Sequence, residues 1–541
     1  LRSVPAFHNM HGILTETAGF MYGNSKEYSP ADFPARFGNG MPTKEPGVFY
    51  EKPWMGGKWG VRQAIDYMLT ADYAILDLAS TRRAHFLHKS WEMAHANLQP
   101  HAKGPWAYVI PQDQWDTLSA KAMLWRLQYA GVQARRAAAP FDADGKTYRA
   151  GTVVLPAEQP FRGYLLDLME PQRYPDMRSS PTGPQKRPYD VAGWTLPMQM
   201  GVQVVRLDKP AKVVLEDNPI DVSAAPSTNH RDNGFFLTMA ARLAKGEKLG
   251  WSPQGALLDA NSTDAAKPKW EFAAPPRVAI YEPWVTNSDA GWTDWLLTTF
   301  HVPHAMLHNE DIRKGSLRDR FDTIILASQS ATSILRGIRD GERSQGRADS
   351  DEAAIVQRPE YVGGIELAGL VQLESFVSDG GTLIAFDAAA ELPVQQFPLP
   401  VRLLIRPQAG GRDTEAPTGF YCPGSVVRIT VDETNPIAFG MPPNAYAYVS
   451  GGQAFESTLL AEYNKGDREV RAIASYAASN LLASGWITGE RTVAGKPALI
   501  EARHEKGKVL LFGFRPQHRG QTYGTFKLLL NAIYLASAKS L

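Results

Sequence analysis

Val278-Ala279-Ile280-Tyr281 is an unbroken apolar run set between Arg277 and Glu282-Pro283. A short run of this kind, bounded by polar residues and proline, reads as a strand buried on both faces. Beyond it the chain alternates. Gly291 to Phe300 reads as a helix, Ala305-Met306-Leu307 as a strand, and Thr323 to Ala327 as another strand after Phe321. Leu367 to Asp379 is again helical, Gly380-Gly381 turns the chain, and Thr382 to Phe386 is a fourth apolar strand. Lys508 to Gly513 and Thr525 to Ser537 add a final strand and helix. Fully apolar strands alternating with helices predict a three-layer, flavodoxin-like α/β domain over residues 277–541. The charged stretch from Arg336 to Glu360 reads as a solvated insertion within it.

Working back from Arg277, residues 259–276 are a polar, Ala- and Pro-containing linker. They close a mixed connector, 211–276, that holds Val213-Val214-Leu215 and a helix from Phe235 to Leu243. Residues 105–210 read as a small α/β unit. Ala107 to Ile110 is a strand, Asp116 to Ala130 a helix stopped by Gly131, and Val132 to Ala137 a second strand. Such a unit predicts a right-handed crossover and a small parallel sheet. Tyr148 to Pro156, a helix from Phe161 to Met169, and a Trp- and Met-bearing segment from Tyr189 to Leu207 complete it. None of its turns carries a phosphate-cradling glycine loop. Upstream, Trp59 to Asn97 predicts one long helix, with Ile65, Met68, Leu69, Ile75, Leu76, Phe86 and Leu87 on a buried face. Residues 23–57 read as a polar surface loop, and a first domain spans 1–104.

The 541 residues carry 57 Lys+Arg against 56 Asp+Glu, a formal charge of +1. That balance offers no field to attract nucleic acid or an anionic membrane, and no apolar run approaches the ~20 residues of a membrane span. One cysteine, Cys422, excludes an intrachain disulfide and a Cys-based zinc site. His85, His88, His95 and His101 cluster without a carboxylate to complete a metal site, and read as solvated or capping residues. His301, His304 and His308, followed by Glu310 and Asp311, do not share one face of a strand and loop. Arg515, His518, Arg519 and Gln521 form a basic cluster at a strand end, suited to an anion or to salt bridges with nearby carboxylates.

Near the start stands Phe7-His8-Asn9-Met10-His11-Gly12-Ile13-Leu14-Thr15-Glu16-Thr17-Ala18-Gly19. Gly12 to Leu14 reads as a buried strand leading into a loop, with Glu16 at its end. A carboxylate held there can serve as a general base or simply cap a turn.

With HNMH before it, GILTETAG resembles the end of the catalytic domain in bacterial zinc carboxypeptidases of the carboxypeptidase A-like (funnelin) family. The resemblance implies that Glu16 takes a proton from a zinc-bound water and later delivers one to the leaving amine. The family's ligands, a His-x-x-Glu pair and a later His, lie upstream of that glutamate. None of the twelve histidines here has a Glu three residues on. The expectation is therefore the C-terminal portion of a longer metallocarboxypeptidase. Its zinc ligands lie outside this chain, its substrate is a peptide or protein, and its location is periplasmic or secreted. Residues 277–541 resemble the class I glutamine amidotransferase-like fold. Where that family has a cysteine after the central strand, this chain has Asp387, and His518 is followed by Arg519 instead of a carboxylate. This domain is expected to be non-catalytic. The alternative is a non-catalytic binding or scaffold protein in which Glu16 is structural.

Overall fold

The computed structural model describes residues 3–18, 25–37, 40–101, 104–178, 180–183, 185–217, 219–260, 267–284, 287–337, 358–405 and 419–541. The chain forms a mixed α/β, multidomain protein that divides into two compact units. One comprises residues 1–101, 158–164 and 340–357; the other holds 102–157, 165–339 and 358–541. The charged stretch from Arg336 to Glu360 lies mostly outside the described residues.

The larger unit is built on a ten-stranded sheet. Its parallel half runs His304–Leu307, Val278–Tyr281, Thr323–Leu326, Thr382–Phe386, Gly507–Phe512, which is sequence order 2-1-3-4-last. Each of the strands read from the apolar runs is present. They pair in parallel because each connection carries a helix, among them Ser288–Thr299 and Glu366–Ser378. Leu370, Leu373, Phe376 and Val377 of Glu366–Ser378 share one buried cluster with Ile324, Leu383, Val509 and Leu511. The sheet then continues antiparallel through Pro497–His504, Val470–Tyr476, Ser425–Val431 and Asn444–Val449. This half is connected by loops and short 3₁₀ turns in place of α-helices and follows no strand–helix alternation.

A second sheet in this unit has the order Val205–Leu207, Ala107–Ile110, Val153–Pro156, Arg135–Ala137, Leu215–Glu216. Every neighbouring pair is antiparallel, which corrects the expected small parallel sheet. Ala107–Ile110 and Arg135–Ala137 do run the same way across the helix Thr117–Tyr129, but Val153–Pro156 inserts between them. That helix starts on Asp116, whose Oδ1 accepts the Ser119 N–H at 3.0 Å. A third, antiparallel sheet joins Leu249–Trp251, Leu257–Asp259 and Trp270–Phe272 to the chain end, Lys539–Ser540.

The smaller unit departs most from expectation. Residues 11–18 form no strand and find no pairing partner among the described residues; Ile13 is 66% exposed and Leu14 58%. The predicted buried strand is thus an open, extended segment. The predicted single helix is two, Val61–Thr81 and Arg83–Asn97, broken at Arg82 (φ −107°, ψ 18°). Their apolar stripe is also exposed, Leu76 at 63% and Leu87 at 71%. Among the described residues of 3–101, only Thr43, Gly60 and Ala64 are buried. The expected surface loop is ordered in part by Lys26–Tyr28, antiparallel to Gly57–Trp59. Tyr28, Phe33, Trp54, Trp59 and Tyr67 form a chain of ring contacts there in place of an aliphatic core. Among the described residues, no helix is long and apolar enough to cross a membrane.

Candidate functional site

Glu16 lies exposed on the open segment between Leu14 and Ala18. Trp59 Nε1 donates to the Ala18 carbonyl at 3.3 Å and ties down its C-terminal side. Its N-terminal side is held by a short helix, Val4–Phe7, and by Asn9, whose Nδ2 donates to the Pro160 carbonyl at 2.8 Å. Asn97 Nδ2 reaches the same carbonyl at 2.9 Å and Asn9 Oδ1 at 3.1 Å. The segment that carries Glu16 is thus held on either side of it, and the Glu16 side chain is exposed.

The two upstream histidines are engaged elsewhere. His8 Nδ1 lies 2.9 Å from the Val4 carbonyl, and its ring sits 4.6 Å from both Phe161 and Tyr164. His11 meets Phe86 edge-on at 4.9 Å. Along the second helix, His88 and His95 stack on either side of Trp91, at 5.7 and 4.9 Å. Among the described residues no three His, Cys, Asp or Glu side chains gather as a metal-binding set.

The larger unit places a second constellation at the C-terminal ends of the parallel strands, where doubly wound sheets open a crevice. Phe386 ends its strand and Asp387 turns the chain at φ +49°, a left-handed conformation that non-glycine residues adopt at some cost. Its side chain is fully engaged. Oδ1 accepts the Gly452 N–H at 3.0 Å, and Oδ2 accepts Ser328 Oγ–H and Arg515 Nε–H, each at 3.1 Å. Arg515 also reaches Asp289 Oδ2 at 3.2 Å, so one guanidinium bridges two buried carboxylates. Burial alone would lower the Arg515 pKa, but the two carboxylates outweigh it and raise it. Burial raises Asp289, and Arg515 offsets only part of that.

His518 is buried and stacked on Tyr448 at 3.8 Å. Burial, reinforced by the Arg515 and Arg519 charges, brings its pKa down to about 3. Cys422 is buried too, with Sγ donating to the Val449 carbonyl at 3.1 Å. Burial pushes its thiol up to about 12, which disfavours the thiolate a nucleophile needs. The basic cluster singled out in the sequence thus divides: Arg515 makes salt bridges, His518 is a neutral ring in a stack, and Arg519 is exposed at φ +49°. Sequence reasoning missed Asp289 and Ser328, which stand well before Asp387 in the chain. The only local signal was Asn287, which caps Ser288–Thr299 through Asp289 N at 3.0 Å. In the other histidine group, His304 bonds Asp294 at 2.9 Å, while His308 stacks on Trp284 at 4.0 Å.

No known family profile matches the chain, and no curated protein does. Several solved structures show a weak likeness. A ThuA-like protein from Bacteroides uniformis is 15% identical over 49% of this chain and 93% of its own, at a TM-score of 0.27. A protein described as a GMP synthase subunit, from Thermoplasma acidophilum, is 13% identical over 48% of this chain and 94% of its own, at 0.28. A β-galactosidase from Bacillus circulans is 11% identical over 49% of this chain and 32% of its own, also at 0.28. Likenesses this weak decide neither family nor activity.

Proposed function

We propose that residues 3–101 are the closing part of the catalytic domain of a zinc metallocarboxypeptidase of the carboxypeptidase A-like family, with Glu16 as its general base. Residues 105–541 then make up the attached α/β domains, of which 277–541 is a flavodoxin-like, amidotransferase-like domain without amidotransferase chemistry. The observation that carries this reading is the apolar surface of the smaller unit. Two helices with the three-and-four spacing of a buried face stand with that face uncovered, beside an equally uncovered Ile13-Leu14-Thr15-Glu16 segment. Exposed apolar surface on this scale marks an interaction face. A lobe covering it would bury the segment and leave Glu16 at the seam.

Zinc held by residues outside this chain would supply Lewis-acid polarisation of the scissile carbonyl. Glu16 takes a proton from the attacking water and returns it to the leaving amine of a peptide or protein substrate. The compartment consistent with this family is the periplasm or the exterior. The test is hydrolysis of peptides with free and amidated C-termini by the longer polypeptide that contains this chain. Glu16→Gln is expected to lower kcat by about 10²–10⁴-fold with zinc content unchanged. Full activity in that variant, or no preference for a free C-terminus, refutes the assignment.

A further inference from the structure

Within the larger unit, a cavity of about 530 Å³ lies between the small antiparallel sheet and Asn444–Val449, the edge strand of the large one. That volume falls within the ~300–1,000 Å³ typical of small-molecule sites, which favour such positions between domains. Its walls are chiefly apolar, with Met169, Met198, Met200 and Val202 on one side and Ala445 and Tyr446 on the other. Methionine suits a wall that must adapt to a ligand's side chain. At one wall two glycines cross with their backbones in close contact. Gly201, at φ +66°, closes the helix Leu196–Met200, and a Cβ there would lie 3.1 Å from Gly524 Cα.

Into this apolar space the fold places two opposite-charge pairs. On the floor, Lys527 Nζ meets Asp116 Oδ2 at 2.6 Å, with both side chains under 5% exposed. Burying an ion pair against an apolar cavity is costly and rarely improves stability over an apolar replacement. Asp116 uses its other oxygen to cap a helix, and Lys527 needs only one of its three N–H donors for Asp116. Toward the mouth, Arg206 Nη1 meets Glu170 Oε1 at 3.0 Å, and Arg206, Gln203 and Asn444 are exposed. The lining is electrically balanced. A ligand with one net charge would bring an uncompensated charge into a poorly solvated space, whereas one carrying both signs can address both pairs.

We propose that this cavity binds a zwitterionic apolar amino acid or dipeptide. Its carboxylate accepts from Lys527, its ammonium turns toward Glu170, and its side chain lies among the methionines. The inference does not rest on Glu16 performing any chemistry.

Isothermal titration of the 541-residue chain at neutral pH tests it with leucylleucine, N-acetyl-leucylleucine and leucylleucine methyl ester. The first should bind saturably, and the anionic and cationic derivatives at least tenfold more weakly. Met198→Trp, which fills the cavity from a half-buried wall, should weaken leucylleucine at least tenfold. Asn444→Trp, at the exposed mouth, should do the same without touching the core, so a misfolded Met198→Trp protein does not end the test. Absence of binding at millimolar leucylleucine, equal binding of all three compounds, or unchanged affinity in a folded cavity-filled variant overturns the proposal.

Discussion

At the scale of single residues, burial decides which titratable groups can do chemistry, and the buried cluster beyond the parallel strands shows the sign of that effect. His518 is stacked on Tyr448 beside two arginines, and its pKa falls to about 3 from the ordinary 6.5. Between those values the unfolded chain binds a proton that the folded chain refuses. Stability contributed by neutral His518 is therefore complete above about pH 6.5 and is lost as pH falls toward about 3. The slope for one such group is at most about 1.4 kcal/mol per pH unit. His518→Phe keeps a flat ring against Tyr448 and removes the proton site. Chemical denaturation between pH 7 and pH 4 should show a shallower loss of stability in the variant, and parallel curves would refute the buried-neutral assignment. Asp289, whose pKa burial raises, works in the opposite direction and is common to both proteins, so the difference between them reports His518 alone.

At the scale of elements, the strands that were legible in the sequence are those whose neighbours are supplied by this chain. Thr382–Phe386 lies where its apolar run predicts because parallel partners cover it on both edges. The antiparallel half, Ser425–Val431 to Pro497–His504, was not legible, since its pairing is set by long-range register without a helix to punctuate it. In residues 105–210 the strand Ala107–Ile110 lies where it was read, but the run Tyr148 to Pro156 divides into the end of a hairpin strand, Lys146–Tyr148, and Val153–Pro156, whose insertion between two parallel strands leaves no local trace. The catalytic candidate Glu16 was visible only through its motif; the Asp387–Arg515–Asp289 bridge joins residues that the sequence keeps far apart. In the first unit the periodicity was correct and the burial was not: the apolar stripe of Val61–Thr81 is exposed among the described residues. That yields a prediction for Leu76, 63% exposed. Leu76→Glu should change the unfolding free energy of this chain by no more than about 0.5 kcal/mol. On the proposed reading, a polypeptide extended by the lobe that covers the stripe should lose about 1.5–3 kcal/mol. Equal effects in the two proteins would mean that nothing covers the stripe.

At the scale of the whole molecule, the two units differ in what can hold them folded. The larger one encloses clusters such as Ile324, Leu383, Leu373 and Val509, every one inaccessible to solvent. The smaller one has ring contacts, short hydrogen-bonded tethers and a two-stranded ladder, with three buried residues among those described in 3–101. Helices owe most of their stability in proteins to a packed apolar face, and a domain without an enclosed core lacks the burial that offsets chain entropy. Residues 104–541 expressed alone should therefore unfold in a cooperative calorimetric transition and bind leucylleucine as the whole chain does. Residues 3–101 alone should show helical signal without a heat-absorption peak, and on the proposed reading should gain one when joined to the proposed upstream lobe. A sharp peak from residues 3–101 by themselves would establish a self-sufficient domain. It would also remove the physical reason for proposing that Glu16 works with residues beyond this chain.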